Sequence, residues 1–264
     1  MRRTLGSTPG ASAQRHEALR VAGTVRAPAV TGRAEHLAVR AASAVRSPAA
    51  PGRVGASVAP MDVMWDDSRR AFADAAQWFV RTAALVGDRW SRPALGEWDV
   101  RALVGHTSRS LLTVETYLAR PAATVEVASA GDYFRATRAA AADPAVTARG
   151  RDAGAALGSD AAAAVAEIAG RVLPLVEARD GTELLTTIAG GMRLADYLPT
   201  RTFELTVHTA DLATALGAPL DVPAPAASQA LRLVADLAAS EGVAGRLLLA
   251  LTGRTGLPVG FSVL

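Results

Sequence analysis

From residue 61 onward the sequence predicts an all-α bundle, and three observations carry that expectation. Half of the 264 residues are hydrophobic but only 5% are aromatic, and alanine dominates, a composition that favours helices over sheets. Apolar residues recur at three- and four-residue spacings through four long stretches. Glycine and proline cluster between those stretches, where they punctuate turns. The chain is long enough to bury a real core.

Residues 1–60 read differently. They carry nine arginines against Glu17 and Glu35, a net of +7, so the rest of this +3 chain is net −4. They are rich in Ala, Gly, Pro, Ser and Arg, have no aromatic residue and show neither helical stripe nor strand alternation, which predicts a disordered tail. A start codon at Met61 or Met64, a solvated linker, or an arm for nucleic acid or membrane would each account for it, and composition favours the first two. The tail lacks the apolar core of a secretory signal, and no segment is apolar enough to span a bilayer, so the expected location is cytoplasmic. All 28 basic residues other than histidine are arginine, a bias that discourages reading each one as a phosphate binder. With no recognition motif beside the charge, neither nucleic acid nor membrane is expected as a partner. No cysteine is present, which excludes disulfides, thiolate metal sites and cysteine nucleophiles.

The first helix is expected from about Asp62 to Val86, on the spacing of Trp65, Phe72, Ala76, Phe79, Ala83 and Val86. Gly87, Pro93 and Gly96 mark a loop. Asp99 is placed to cap a second helix whose stripe is Val100, Leu103, Val104, Leu111, Val114 and Leu118, with Pro121 beyond its end. Between Thr124 and Ala156 the pattern supports only a short helix opened by Asp132-Tyr133-Phe134-Arg135 and interrupted at Asp143-Pro144. A third long helix runs from about Ser159 to Glu177 despite Pro174, closed by Asp180-Gly181. Gly190-Gly191 marks a turn or a tight backbone approach.

The fourth long helix ends at Gly217. It begins either near Leu198, with Pro199 in its first turn, or at Met192, with Pro199 kinking it. Two further helices, Pro225 to Ser240 and Val243 to Leu251, precede a coil-like end. The expected organisation is thus a tail over 1–60, a bundle over 61–217 and a helical extension over 218–264. No internal repeat is present.

The chemistry concentrates on the fourth helix. Glu204 and His208 are four residues apart, so they lie about 40° apart around a helix and roughly 6 Å apart along it. They flank the arc of Leu194, Leu198, Leu205, Leu212 and Leu216, at the margin of a core. His16 and His36 fall in the tail, leaving His106 as the other histidine of the folded part. It lies at the edge of the second helix's stripe, beside Leu103, Ser110 and Tyr117. Two imidazoles and a carboxylate suit zinc and leave one position open for water or substrate. A packed core histidine beside a solvated glutamate fits the same residues.

Two segments, Trp98-Asp99-Val100-Arg101-Ala102-Leu103-Val104-Gly105-His106 and Arg201-Thr202-Phe203-Glu204-Leu205-Thr206-Val207-His208-Thr209-Ala210-Asp211-Leu212, resemble the signatures of the mycothiol-dependent maleylpyruvate isomerase family. They match in order, spacing and helical context, and the similarity runs from about Met61 to Gly217. The resemblance implies a DinB-like four-helix bundle in which His106, Glu204 and His208 hold a divalent metal, expected to be zinc. It also implies mycothiol or a related low-molecular-weight thiol as co-substrate, supplied from solution because the chain has no cysteine. In that family the thiolate adds to the cis double bond of maleylpyruvate, the single bond rotates, and elimination gives fumarylpyruvate. A transferase variant would stop at addition or displacement.

This sequence departs from the family's pattern in two places. Gly96-Glu97 stands where Pro-Gly usually precedes the tryptophan. The 47 residues after Gly217 are too few for the family's second domain, which contributes an arginine to substrate handling. A catalytically silent metal-binding bundle, acting as a binding or regulatory module, therefore stands as the alternative to an enzyme. Arg201 and Asp211 flank Glu204 and His208 on one face. Asp211 is placed to accept from an imidazole N–H, and Arg201 to bind a substrate carboxylate or to pair with Glu204. Ser110 and Tyr117 either line the pocket or fill the core. Trp98 reads as a packing anchor.

Overall fold

The computed structural model describes residues 61–141 and 143–264, so the disordered tail expected over 1–60 lies outside the described residues. The architecture is all-α, with eight helices among the described residues: α1 (Met61–Ala84), α2 (Val100–Leu118), α3 (Ala130–Ala141), α4 (Ala145–Ala156), α5 (Ala161–Glu177), α6 (Leu194–Leu216), α7 (Ala224–Ser240) and α8 (Ala244–Leu251). α1 and α2 each pack against both α5 and α6, so these four make the bundle. Its core is the expected stripes of α1, α2 and α6 turned inward against α5: Phe72 and Phe79, Leu103 and Leu111, and Leu198, Leu205 and Leu212 are fully buried, as are Val165 and Val172 of α5. Each such side chain contributes about 1.5–3 kcal/mol by leaving water.

The ends of the long helices follow their sequence signals. Asp99 accepts from the Ala102 amide at 2.8 Å and caps α2. α5 begins at Ala161, two residues later than expected, because Asp160 caps it through the Ala163 amide. α6 ends at Gly217, whose φ of 66° lets the chain turn back onto the carbonyls of Ala213 and Thr214. Its start follows the second option within two residues: the helix opens at Leu194 rather than Met192, and Pro199 sits inside it, removing one bond to the Ala195 carbonyl.

Between α2 and α5 the structure holds more than the sequence pattern supports. The interruption at Asp143-Pro144 is real, but a second helix, α4, follows it. α4 packs on α2 through glycine. A Cβ on Gly154 would lie 2.6 Å from the Arg101 carbonyl oxygen, and one on Gly105 would lie 2.1 Å from the Gly154 nitrogen. Backbone meeting backbone needs no apolar stripe, so helical periodicity does not register it.

Two small hairpins complete the described residues. β1 (Pro93–Leu95) pairs antiparallel with β2 (Trp98–Asp99), and β3 (Leu184–Thr187) pairs antiparallel with β4 (Gly190–Arg193). Both readings of Gly190-Gly191 are realised: Gly190, at φ 119°, closes the hairpin turn opposite Thr187, and Gly191 makes the tight approach. Gly191 lies in β4, its carbonyl accepts from the amides of Glu126 and Val127, and a Cβ there would meet the Thr124 carbonyl oxygen at 2.0 Å.

α7 packs against α6 and α1, with Leu233 and Leu237 against Phe203 of α6. α8 packs on α7 and buries none of its residues. No helix among the described residues is long and apolar enough to cross a membrane.

Candidate metal centre

The site is built on the seam between α2 and α6, which run antiparallel. At one end the rings of His106 and His208 meet edge to face with centroids 4.9 Å apart. Two to three turns away, Tyr197 Oη donates to Thr113 Oγ1 at 3.0 Å, and the Tyr117 and Tyr197 rings lie 5.5 Å apart. Glu204 lies one turn before His208, so the helix itself sets that pair. One ligand atom from each of His106, Glu204 and His208 lies within 4.8 Å of the others.

His106 is aimed by its surroundings. β2 brings the Trp98 ring to 4.5 Å from the imidazole, and the indole N–H is tied to the Thr147 carbonyl of α4 at 3.0 Å. Trp98 is thus an anchor, and what it anchors is His106. The glycine crossing of α4 matters here: a Cβ on Gly150 would lie 2.6 Å from the Trp98 ring. A cavity of about 310 Å³ borders this indole, lined by Glu97, Pro144 and Thr147, and does not include the three donor residues.

The two histidines are in opposite electrostatic states. Burial, reinforced by the charge of His208, lowers the His106 pKa to about 4, so this ring is neutral and keeps a lone pair at neutral pH. Its Nδ1 is buried without a hydrogen-bond partner among the described residues. His208 is the reverse. Burial opposes its charge, but bonds to Asp211 and Glu204 outweigh burial and raise its pKa to about 9. Nδ1 lies 3.1 Å from Asp211 Oδ2 and Nε2 lies 3.2 Å from Glu204 Oε2. Glu204, despite burial, is pulled down to about 2 by His208 and by the charge of Arg201.

This donor set fits a divalent cation. Asp211 accepts from Nδ1, which fixes the tautomer and turns the Nε2 lone pair toward Glu204. In the metal-free protein that lone pair carries a proton shared with the carboxylate, in the place where a cation bound by both groups would sit. The orphaned nitrogen of His106 marks unused donor capacity on the third residue. Glu204 and His208 side chains are 20% and 17% exposed, so the cluster is open to solvent on one side.

The remaining residues singled out in the sequence fall as follows. Asp211 touches His208. Ser110 and Tyr117 are buried on the α2 face that looks onto α6. Arg201 is 9% exposed, and no ion pair within 4 Å joins it to Glu204 or to another carboxylate among the described residues. Its guanidinium lies over the rings of Tyr133 and Tyr197 instead, at 5.3 and 5.1 Å from their centroids. Sequence reasoning did not find these two tyrosines. A signal existed for Tyr197, since Tyr197, Arg201, Glu204, His208 and Asp211 follow at spacings of four, three, four and three, one continuous helical stripe. None existed for Tyr133, which arrives on α3 by tertiary packing.

Residues 72–213 match a family model described as the mycothiol maleylpyruvate isomerase N-terminal domain. The matched span contains all three clustered residues and Asp211. No curated protein matches the chain, and no solved structure does.

Proposed function

Because the chain belongs to the mycothiol maleylpyruvate isomerase N-terminal domain family, we propose that it is a thiol-dependent metalloenzyme. On this reading His106, Glu204 and His208 hold one zinc ion, and the reaction is a cis–trans isomerisation of the maleylpyruvate type or a thiol transfer. The observation that carries the reading is the convergence of three donor atoms within 4.8 Å while the second nitrogen of His208 is held by Asp211.

Each residue has a defined task. His106 is kept neutral by burial, so it offers its lone pair without first losing a proton. Asp211 steadies the His208 ring and raises its basicity. Glu204 offsets one of the cation's two charges, leaving a net positive centre. A cation bound so would supply a Lewis acid that lowers the pKa of a coordinated thiol, keeping it as thiolate at neutral pH. The thiol comes from solution, since the chain has no cysteine.

The test is metal analysis of the purified full-length protein together with turnover of maleylpyruvate, with and without mycothiol. One zinc per chain and turnover only with the thiol is the expected result. Zinc without turnover of this or any thiol-acceptor pair supports the silent metal-binding module instead, and absence of any bound or bindable divalent metal overturns both.

A further inference from the structure

Arg201 occupies the same α6 stripe as the metal residues, toward the helix N-terminus. Its Nε donates to Thr200 Oγ1 at 2.9 Å, but among the described residues nothing hydrogen-bonds or ion-pairs with Nη1 or Nη2. The nearest carboxylate along the helix, Glu204, is engaged by His208. A cation taken out of water without a counter-charge is costly, and two tyrosine faces return only part of that cost.

Around this fork stand further groups with no partner. The hydroxyls of Tyr117, Tyr133 and Ser110 make no hydrogen bond among the described residues, although their side chains are 7%, 4% and 3% exposed. The Arg201 guanidinium lies 5.3 Å from the Tyr133 ring centroid, and the Tyr117 ring packs 5.5 Å from Tyr197, which also lies under that guanidinium. Burial pushes the Tyr133 phenol up, so it stays a donor. By the antiparallel register of α2 on α6, Ser110 falls between His106, which meets His208, and Thr113, which meets Tyr197. That places it across from Arg201 and Glu204. A planar guanidinium fork ringed by hydroxyl donors is matched to a carboxylate.

We propose that Arg201, with Tyr117 and Tyr133, receives a carboxylate of the molecule on which the metal centre acts. From Arg201 to Glu204 and His208 the helix rises about 4.5 and 10.5 Å. The site therefore takes a small carboxylic acid whose carboxylate and reacting atom are separated by roughly that span. The position of the reacting end rests on the zinc reading; the receptor itself does not need the metal.

The test uses the full-length protein and saturation-transfer NMR titrations. In the first arm, metal-free protein is titrated with propionate and with its neutral isostere propionamide. The wild type should prefer propionate by about tenfold or more, the size of a hydrogen bond to a charged group. Arg201→Met should abolish the preference. Tyr133→Phe, which retains the ring, should weaken propionate by about two- to tenfold and covers the case in which Arg201→Met does not fold. In the second arm, zinc-loaded protein receives 3-mercaptopropionate, or ethanethiol together with propionate. Displacement of propionate by 3-mercaptopropionate but not by ethanethiol is the expected result, and binding of 3-mercaptopropionate and propionate independently of one another overturns the proposal. Equal binding of propionate and propionamide by the wild type, or a preference that survives Arg201→Met, overturns the proposal. Failure to bind zinc with the preference intact removes the metal reading alone.

Discussion

At the His208 end of the α6 stripe each charge has a partner: Nε2 lies 3.2 Å from Glu204 and Nδ1 lies 3.1 Å from Asp211. At the Arg201 end a guanidinium lies over two tyrosine rings that also touch each other, with no carboxylate within 4 Å among the described residues. The first region is satisfied within the protein, and on the proposed function a cation would replace the proton between Nε2 and Glu204. The second stays incomplete until an anion arrives. On the two proposals, one helix would present a cation site and, toward its N-terminus, a cation that pairs with an incoming anion.

The largest effects should separate this stripe from the core beside it. Leu205, fully buried next to Glu204 in sequence, should cost about 2–5 kcal/mol of unfolding free energy when changed to Ala. His208→Ala should do the opposite: stoichiometric zinc binding is lost while the far-UV circular dichroism spectrum keeps its helical signal. A variant that binds zinc fully, or that unfolds, would break the division between site and core.

Next in size is Asp211→Ala. Losing the carboxylate that holds the His208 ring should weaken zinc binding about 10- to 100-fold, read by competition with a chelator. Arg201→Met should leave zinc affinity unchanged within a few-fold. It should also hold or raise the melting temperature, because replacing a buried charge by an apolar side chain is commonly neutral or stabilising. A clear loss of stability would show that the tyrosine cage already satisfies the arginine.

The smallest effect is the pH dependence of the metal-free protein. His106 has its pKa lowered to about 4 from 6.5, so its contribution is full above 6.5 and is lost as pH falls toward 4. His208 has its pKa raised to about 9 from 6.5, so its contribution is full below 6.5 and is lost as pH rises through 9. The two trends predict a maximum in melting temperature near pH 6.5, flattened on the alkaline side by saturating zinc. A metal-free protein that gains stability from pH 7 to 9 would contradict the His208 assignment.

How much of this was legible in the sequence depends on whether one helix or several carried the information. Glu204 and His208 share α6, so their spacing alone put them on one face, and the same rule put Asp211 beside His208. The inward stripes of α1, α2 and α6 were legible for the same reason. His106 is on another helix, so no spacing joined it to the pair: it was a candidate as the other histidine of the folded part, and the resemblance strengthened that reading. Three features had no local signal: α4 docks through Gly105 and Gly154 rather than an apolar stripe, the hairpin strands are too short to alternate, and Tyr133 reaches Arg201 from α3 across tertiary space.

The central claim is that one divalent cation is held by His106, Glu204 and His208. X-ray absorption at the zinc edge of the purified full-length protein tests it most directly. The account predicts one zinc per chain with two imidazole nitrogens and a carboxylate oxygen at about 2.0–2.2 Å, and the loss of one imidazole from that shell in His106→Ala. Zinc bound with fewer than two imidazoles, or a shell unchanged by His106→Ala, would contradict it.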